Sequence, residues 1–290
     1  MSTEGPEEGS ESSWRCRDLV YDLSARTLVM GVVNVTPDSF SDGGRFFAPE
    51  DAIAHARRLL AEGADLLDLG AESTRPGAMP VTAAEQIRRL APVIEALVAD
   101  SRACVAVDTA DAEVAERALE LGARVVNDVT ALADPGMAAV VARHGAGLVL
   151  MHLAGTPATM QHDPHSEDVA REGREHLATR LEAARAAGVP AGNVVLDPGI
   201  GFGKTVQHNF ELLARLGELK SLGRPLLVGV SRKSLLGKTL GLPVDQRLEG
   251  GLAASAVAVF LGARVVRTHD VAATVRAVRI ADALRGARRP

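Results

Sequence analysis

One early stretch determines how this 290-residue chain is interpreted: Leu28-Val-Met-Gly-Val-Val-Asn-Val-Thr-Pro-Asp-Ser-Phe-Ser-Asp-Gly-Gly44. Its apolar residues 28–33 predict a buried strand that ends at Asn34. The Thr, Pro, Asp, Ser and Gly residues that follow are typical of a loop. In an α/β protein, a loop just past the end of a strand faces the active site, so the stretch indicates both a fold class and the place of a site.

The rest of the chain repeats this unit. From Leu28 onward, short runs of Val and Leu alternate with longer amphipathic stretches, with no Pro-rich or Ser-rich linker between them. Strict alternation predicts a parallel sheet with helical crossovers, and eight units predict a closed (β/α)8 TIM barrel. The predicted strands lie near residues 28–34, 64–69, 103–108, 124–127, 147–152, 193–197, 226–230 and 264–267. The predicted helices lie near residues 50–62, 82–99, 111–121, 136–143, 167–187, 207–221, 245–262 and 270–285.

Recurring turns and a short N-terminal segment complete the predicted fold. The run Leu-Gly-Ala-Arg-Val-Val at residues 121–126 recurs identically at 261–266, and its glycine is suited to end a helix in the left-handed conformation. Such turns lie at the bottom of a barrel, away from the active site. We expect residues 14–23 to form a hairpin that closes this bottom. Residues 1–13 have the composition of a disordered tail, and residues 14–290 are expected to form one domain.

Composition and charge restrict the classes of partner. Hydrophobic residues make up 47% of the chain and charged residues 24%, which predicts a packed core. The net charge of -5 gives no basic field for nucleic acid or an anionic membrane. No stretch is apolar enough to span a bilayer or to serve as a signal core. Cys16 and Cys104, the only cysteines, form neither a disulfide framework nor a thiolate metal site, so we expect a cytoplasmic protein.

A polar or charged residue stands at or just past the end of every predicted strand. In a barrel these residues converge on one mouth, where active sites of this fold lie. The set as a whole therefore predicts a single shared site. Its members are Asn34, Asp68, Asp108, Asn127, His152, Asp197, Ser231, Arg232, Lys233, Arg267 and His269.

Part of this set suits a flat heterocycle. Asp108, Asn127 and Asp197 offer carboxylate and amide edges, and the paired N–H donors of an amino-pyrimidinone need paired acceptors. The nearby run Gly-Ile-Gly-Phe-Gly-Lys-Thr at 199–205 fits neither the Walker nor the dinucleotide pattern. We interpret it as a close-packed loop whose glycines let a flat ligand lie near the backbone.

Another part of the set suits a phosphate. Lys233, Arg267 and His269 supply three cationic groups, which fit a diphosphate or triphosphate. Such a phosphate is usually bridged by Mg²⁺, which prefers oxygen ligands. The oxygen ligands available for this ion are Asn34, Asp38 and Asp42.

Seven short motifs carry a family resemblance. They are Asn34-Val-Thr-Pro-Asp-Ser-Phe-Ser-Asp-Gly-Gly44, Asp68-Leu-Gly-Ala-Glu-Ser-Thr-Arg-Pro-Gly77, Val107-Asp-Thr109, Asn127-Asp-Val129, Asp197-Pro-Gly-Ile-Gly-Phe-Gly-Lys204, Ser231-Arg-Lys-Ser234 and Arg267-Thr-His-Asp270. In this order they resemble the dihydropteroate synthase family. The resemblance implies a reaction that joins 4-aminobenzoate to 6-hydroxymethyl-7,8-dihydropterin diphosphate and releases pyrophosphate, with Mg²⁺ as cofactor.

The resemblance also implies a role for individual residues. For the pterin it implies Asp108, Asn127, Met151, Asp197 and Lys233. For the diphosphate it implies Asn34, Arg267 and His269, with Mg²⁺ at Asn34. For 4-aminobenzoate, and for the sulfonamides that resemble it, it implies Phe40, Thr74, Arg75, Pro76, Phe202, Lys233 and Ser234. The catalytic residues implied are Lys233, Arg267, His269, Asp42 and Asp38.

The chemistry agrees with these roles. Pyrophosphate leaves readily once Mg²⁺, Arg267 and His269 neutralise it, and Asp38 or Asp42 stabilises the cation left on the pterin. The arylamine then needs only to be positioned close by in a dry pocket.

Two other functions stay open from the sequence. One is a pterin-dependent methyltransferase that resembles the methyltetrahydrofolate-to-corrinoid enzymes, and the other is an inactive pterin-binding paralogue. The cations at Lys233, Arg267 and His269 argue against both, because neither needs a diphosphate clamp. The chain departs from the family pattern at residues 110–111 and 152–157, which lie outside that clamp.

One late helix predicts a homodimer. Residues 251–261 are apolar on every face except Ser255, whereas an outer barrel helix normally shows a polar face to water. A twofold contact, shared with the C-terminal helix that carries Val275 and Ile280, is the commonest way to cover such a surface. The alternative is that flanking helices cover it within one chain.

Overall fold

The strands close into a barrel, as predicted. The computed structural model describes residues 11–36, 49–72, 80–100, 103–155, 160 and 164–287. The strands are β1 (Ser13–Cys16), β2 (Leu19–Asp22), β3 (Leu28–Asn34), β4 (Leu66–Gly70), β5 (Val105–Asp108), β6 (Val125–Asp128), β7 (Gly147–Met151), β8 (Val194–Asp197), β9 (Leu226–Gly229) and β10 (Ala263–Thr268). The eight strands β3 to β10 are parallel, and β10 pairs with both β9 and β3, so this sheet has no free edge.

Helices connect successive strands, with two differences from the prediction. They are α1 (Pro49–Ala61), α2 (Ala83–Val98), α3 (Ala112–Glu120), α4 (Met137–His144), α5 (Val169–Ala186), α6 (Val206–Ala214), α7 (Ser234–Leu240), α8 (Leu248–Leu261) and α9 (Val271–Gly286). The helix predicted at 207–221 ends at Ala214 and continues as 3-10 turns over Leu216–Leu222, because Gly217 weakens the α-helix there. The helix predicted at 245–262 begins at Leu248. It is preceded by the unpredicted α7, which ends at left-handed Gly241.

None of the helices among the described residues is long and apolar enough to cross a membrane.

Side chains alternate between the inside of the barrel and its helical coat. The inner cluster contains Met30, Leu66, Ala106, Val125, Val149, Val195, Leu227 and Val265. The cluster under the helices contains Val29, Leu67, Val107, Val126, Leu150, Leu196, Val228 and Val266. Because side chains alternate along a strand, the residue two positions after each inner residue also faces inward. This parity directs a side chain from each of β4, β5, β6, β7, β8 and β10 toward the mouth, whereas the corresponding residue of β9 is Gly229.

The hairpin β1–β2 closes the bottom of the barrel, as expected. Trp14 is 0% exposed and packs in the inner cluster, and its Nε1 donates to Asn193 O at 2.9 Å. Ser13 pairs with Asp22 within the hairpin, and Ser12 O accepts a hydrogen bond from Leu23 N at 2.7 Å, so these two residues of the predicted tail 1–13 belong to the fold. Residues 1–10 of that tail lie outside the described residues.

Candidate functional site

The strand register brings the predicted heterocycle-binding residues to one level. Asp108 on β5 pairs with Asn127 on β6, and Met151 on β7 pairs with Asp197 on β8. Arg267 on β10 has the same inward parity, two residues after the inner Val265. All five side chains therefore face the mouth of the barrel, at the carboxyl ends of the strands.

A buried ion-pair network forms the floor of this mouth. Arg267 Nε lies 2.6 Å from Asp68 Oδ2, and Arg267 Nη2 lies 2.8 Å from Asp108 Oδ2. Asn127 Nδ2 donates to the same Asp68 oxygen at 3.0 Å. Asp68 is 0% exposed. It therefore orients a guanidinium and an amide at once, and it leaves Asn127 Oδ1 as the acceptor that this amide can offer to a ligand.

The charged groups of the floor shift one another's pKa values. Burial and the neighbouring Asp68 charge raise the pKa of Asp108 to about 7, although Arg267 opposes this. Burial lowers the pKa of Arg267. The negative charges of Asp68 and Asp108 have the larger, opposite effect, and they hold this pKa above its usual value. Perturbed carboxyl groups of this kind, in a cavity at strand ends, are typical of functional sites.

A second cluster lies beside the floor, where β8 and β9 end. Asp197 Oδ1 accepts a hydrogen bond from Gly199 N at 2.7 Å. Lys233 Nζ donates to Ile200 O and lies 4.5 Å from the centroid of the Phe202 ring. Burial lowers the pKa of Lys233 to about 8, although the Asp197 charge opposes this. A carboxylate, an ammonium and an aromatic face therefore border one another.

Two turns at the ends of β9 and β10 support each other. Arg232 adopts a left-handed conformation (φ 58°) and pairs with Asp270 at 2.6 Å. Ser231 Oγ lies 3.2 Å from both the backbone N and the Nδ1 of His269. Ser234 is the first residue of α7 and is exposed. These turns place Lys233, His269 and Ser234 at the rim of the mouth, as the sequence predicts.

The prediction that His152 joins the mouth is wrong. Met151 has the inward parity, so the next side chain points outward and packs under α5. A Cβ built on Gly173 of that helix would lie 3.1 Å from His152 Nδ1, and the His152 and His176 rings are 5.1 Å apart. Burial lowers the pKa of His152 to about 3, so the imidazole is neutral.

Several predicted site residues lie outside the described residues. They are Asp38, Phe40, Asp42, Thr74, Arg75 and Pro76. Asn34, the predicted metal ligand, is the half-buried last residue of β3. Within the described residues, no group of three or more His, Cys, Asp or Glu side chains is arranged to hold a metal ion.

Two residues of the site received no role from the sequence. Asp68 was placed at a strand end, but its partner Arg267 is 199 residues away. Lys204 was noted only within the glycine run, yet it is buried among backbone carbonyl groups. The inward parity of β4 is the signal that identifies Asp68, whereas nothing in the local sequence identifies the partners of Lys204.

Comparisons with known proteins agree with this geometry. A family model described as "Pterin binding enzyme" matches residues 30–269. The dihydropteroate synthase of Escherichia coli (strain K12) is 42% identical over 255 residues, which are 88% of this chain and 90% of that protein.

Solved structures of dihydropteroate synthases are also similar to this chain. Yersinia pestis dihydropteroate synthase with a sulfonamide drug complex has a TM-score of 0.90 and 43% identity, and the match covers 95% of this chain and all of that one. Xanthomonas albilineans dihydropteroate synthase with 4-aminobenzoic acid has a TM-score of 0.89 and 44% identity, covering 96% of this chain and all of that one.

Proposed function

Since this chain belongs to the family of pterin-binding enzymes, we propose that it is a transferase with dihydropteroate synthase activity in folate biosynthesis. It joins 4-aminobenzoate to 6-hydroxymethyl-7,8-dihydropterin diphosphate. The bond between the exocyclic carbon and the diphosphate oxygen breaks, and a carbon–nitrogen bond to the arylamine forms. The observation that carries this proposal is the convergence of inward Asp108, Asn127 and Asp197 with the cations Lys233 and Arg267 in one mouth.

The acceptor side of the mouth fits a pterin. Asp197 is held in place by Gly199 N, and Asn127 by Asp68, so their remaining oxygens are fixed as acceptors for the N–H groups of an amino-pyrimidinone. Met151 adds an apolar surface beside Asp197. Binding therefore replaces water with acceptor oxygens that are already in place. This favours a ligand with paired N–H donors over a ligand without them.

The cationic side fits a diphosphate. Arg267 uses Nε and Nη2 for Asp68 and Asp108, and its other N–H donors stay available for phosphate oxygens. His269 and Asn34 stand at the ends of the neighbouring strands β10 and β3. Mg²⁺ commonly binds one or two protein oxygens together with phosphate oxygens, and the Asn34 amide suits this mode, so Mg²⁺ at Asn34 would neutralise part of the leaving-group charge.

Individual residues of this chain have separate roles in breaking the bond to the diphosphate and in forming the bond to the arylamine. The electron pair of the broken bond stays on the oxygen of the leaving pyrophosphate, and Arg267 and His269 stabilise the negative charge that develops there. Phe202, Lys233 and Ser234 border the place for the arylamine. The family resemblance assigns Phe40, Thr74, Arg75 and Pro76 to the same substrate. Asp38 or Asp42 stabilises the pterin cation. The arylamine attacks the exocyclic carbon with its lone pair, and its surplus N–H proton passes to solvent water. Close positioning of the two substrates supplies most of the rate.

A turnover assay tests this function. Purified protein is mixed with both substrates and Mg²⁺, and release of pyrophosphate and formation of 7,8-dihydropteroate are followed. We expect both products in equal amounts, and inhibition by a sulfonamide that 4-aminobenzoate overcomes. Pyrophosphate release that does not depend on 4-aminobenzoate, or no release at all, would contradict the proposal and favour a paralogue without this activity.

The late helices support a homodimer. Ser255, the one polar residue of the apolar run, is 4% exposed and faces the barrel, whereas Val257 on the outer side is 55% exposed. Helix α8 contacts α6, α7 and α9, and the outer faces and connections of these helices expose more large apolar residues. These are Phe210, Leu240, Val244, Leu248, Ile280 and Leu284.

Light scattering tests the dimer. We expect twice the chain mass of 30.3 kDa at micromolar concentration, and a shift to monomer for Val257→Asp. Val20→Asp is the matched control, because Val20 is similarly exposed (47%) but lies on the hairpin. A monomeric wild type, or dissociation by both variants, would contradict the assignment of this face.

We also propose that the protein is located in the cytoplasm, which is a reducing compartment. Cys16 and Cys104 belong to the same buried cluster at the bottom of the barrel, and both are free thiols.

A further inference from the structure

A buried lysine that the proposed reaction does not use lies behind the aminobenzoate side of the mouth. Lys204 is 5% exposed, and its Nζ lies within hydrogen-bond distance of three backbone oxygens. These are His152 O at 3.1 Å, Gly199 O at 3.0 Å and Phe202 O at 2.9 Å. An ammonium group has three N–H donors, so all the donors of Lys204 are engaged within the protein.

The three acceptors belong to two neighbouring units of the barrel. His152 directly follows β7, whereas Gly199 and Phe202 lie in the loop that follows β8. Lys204 therefore ties this loop to itself and to the end of the preceding strand. Burial lowers the pKa of Lys204 to about 7, although the charge of Asp197 opposes this, and three carbonyl oxygens also favour the charged form.

The backbone of the 199–203 loop requires contacts that hold it in one conformation. Gly199, Gly201 and Gly203 all have positive φ angles (70°, 85° and 62°). Glycine backbone is the most flexible of all, so holding three such residues in one conformation has a large entropic cost. A Cβ at Gly199 would collide with the His152 carbonyl group, which shows how closely the two segments pack.

The loop in turn sets the groups that border the mouth. Ile200 O accepts a hydrogen bond from Lys233 Nζ, and the Phe202 ring lies 4.5 Å from the same nitrogen. Displacement of the loop by a fraction of an ångström would move both groups and the ammonium that they hold. Of the three acceptors for the pterin, Asp197 is also bonded to this loop, through Gly199 N, whereas Asp108 and Asn127 are held from the opposite wall, by Arg267 and Asp68.

We propose that Lys204 is a positioning residue for the second substrate: it fixes the 199–203 backbone, and through it the Phe202 ring and the Lys233 ammonium that border 4-aminobenzoate. The inference rests on the proposed function. Arginine cannot replace this lysine, because a planar guanidinium does not direct three donors to three carbonyls arranged around one nitrogen. Methionine has a similar length but no donor, and would leave three buried carbonyl groups without this partner.

Steady-state kinetics with each substrate varied in turn tests the proposal. For Lys204→Met and Lys204→Arg we expect the KM for 4-aminobenzoate to rise about tenfold. The KM for the dihydropterin diphosphate should rise less, by at most about threefold, because only Asp197 of its three acceptors is bonded to this loop. Lys220→Met is the matched control, because Lys220 lies on the outer 3-10 turns and pairs with Glu11. Both KM values of this control should equal those of the wild type.

A second variant keeps the test decisive if Lys204→Met does not fold. Asn209 Oδ1 accepts from Gly201 N at 2.5 Å, and its Nδ2 donates to Thr205 O at 2.7 Å, so Asn209 holds the same loop from the other side. Asn209→Ala should give the same selective rise, to a smaller extent. An equal rise in both KM values, a fall in kcat alone, or unchanged kinetics in the folded variants would overturn the inference. Absence of turnover in the wild type would instead overturn the proposed function.

Discussion

The two ends of this barrel treat buried polar side chains in opposite ways. At the bottom, donors are matched with backbone carbonyl groups: Trp14 Nε1 with Asn193 O at 2.9 Å, and Arg17 Nη1 with Leu119 O at 2.9 Å. Each such bond satisfies a group that would otherwise lose its partner in water. The ion pairs at this end, Arg26–Asp65 and Arg124–Asp18, each include a largely exposed side chain. The bottom is therefore built for stability.

At the mouth, charges face charges. Asp68 and Asp108 share one guanidinium, that of Arg267, so two carboxylates are buried against a single cation. Such an arrangement contributes little stability, because desolvation offsets the attraction between the charges. The difference teaches that stability and activity are separated along the barrel axis. Lys204 and Lys233 are exceptions, because both donate to backbone carbonyl groups at the mouth. The following predictions test that separation.

The largest expected effect is at the bottom. Trp14→Ala should lower the free energy of unfolding by about 3–5 kcal/mol, because it leaves a large cavity in the inner cluster. Trp14→Phe, which keeps most of the packing, should lose much less. Urea unfolding gives both values. Both KM values should be unchanged in the folded protein, and a selective change in either would break the separation.

The next effect is at the mouth. Arg267→Ala should lower kcat/KM by about a hundredfold to a thousandfold, since it removes charge stabilisation of the leaving group, and Lys233→Ala should lower turnover by at least about tenfold. The control is Arg215→Ala, because Arg215 also pairs with carboxylates, Asp168 and Glu211, but on the outer surface. Steady-state assays compare the variants, and circular dichroism monitors the fold. A comparable loss in the control would contradict the assignment.

A smaller effect depends on pH. The pKa of Asp108 in the folded protein is raised to about 7, above its unfolded value. The folded state thus binds the proton more tightly, and stability is lost as the pH rises from about 4 through about 7, by at most about 1.4 kcal/mol per pH unit. Asp108→Asn removes this loss, so the variant should gain stability over the wild type as the pH rises from 5 to 8.

Thermal unfolding at several pH values measures that gain. In the same range, kcat/KM of the wild type should fall below about pH 7, because the ionised carboxylate is the better acceptor for pterin N–H groups. A stability difference that is constant with pH would show that Asp108 does not titrate in this range.

The smallest effect is again at the bottom. Tyr21 Oη donates to Asp65 O at 3.2 Å, and Tyr21→Phe removes this one bond while keeping the ring. We expect a loss of about 0.5–1.5 kcal/mol in unfolding free energy, with turnover intact. Changed turnover would link the hairpin to the mouth and weaken the separation.

The sequence predicted the features that follow from its regular alternation of strands and helices. Alternation of strands and helices predicted the closed barrel, and the polar strand ends at Asp108, Asn127, Asp197 and Arg267 converge as expected. The error at His152 comes from the same rule, because a shift of one residue along a strand reverses the side on which a side chain lies. A strand end alone does not reveal that parity.

Other features depend on partners that are distant in the sequence. The bonds from Arg267 to Asp68 and from Lys204 to His152 join residues in different units of the barrel, so no local pattern predicts them. The boundary between α6 and the following 3-10 turns depends on one glycine, Gly217, within a segment whose apolar pattern continues. The sequence thus predicted that strand-end residues converge at one mouth, but not the contacts that hold them there.

The pairing of β10 with β3 has a consequence for the order of biosynthesis. Thr27, just before the first barrel strand, bonds through its backbone N and its hydroxyl to Asp282 at 2.8 Å. A chain growing from its N-terminus on the ribosome can therefore close the barrel only when its last unit has emerged. Arg267 arrives with that unit, so until then the carboxylates of Asp68 and Asp108 lack their common cation. Nascent chains should thus stay open and inactive until translation is almost complete.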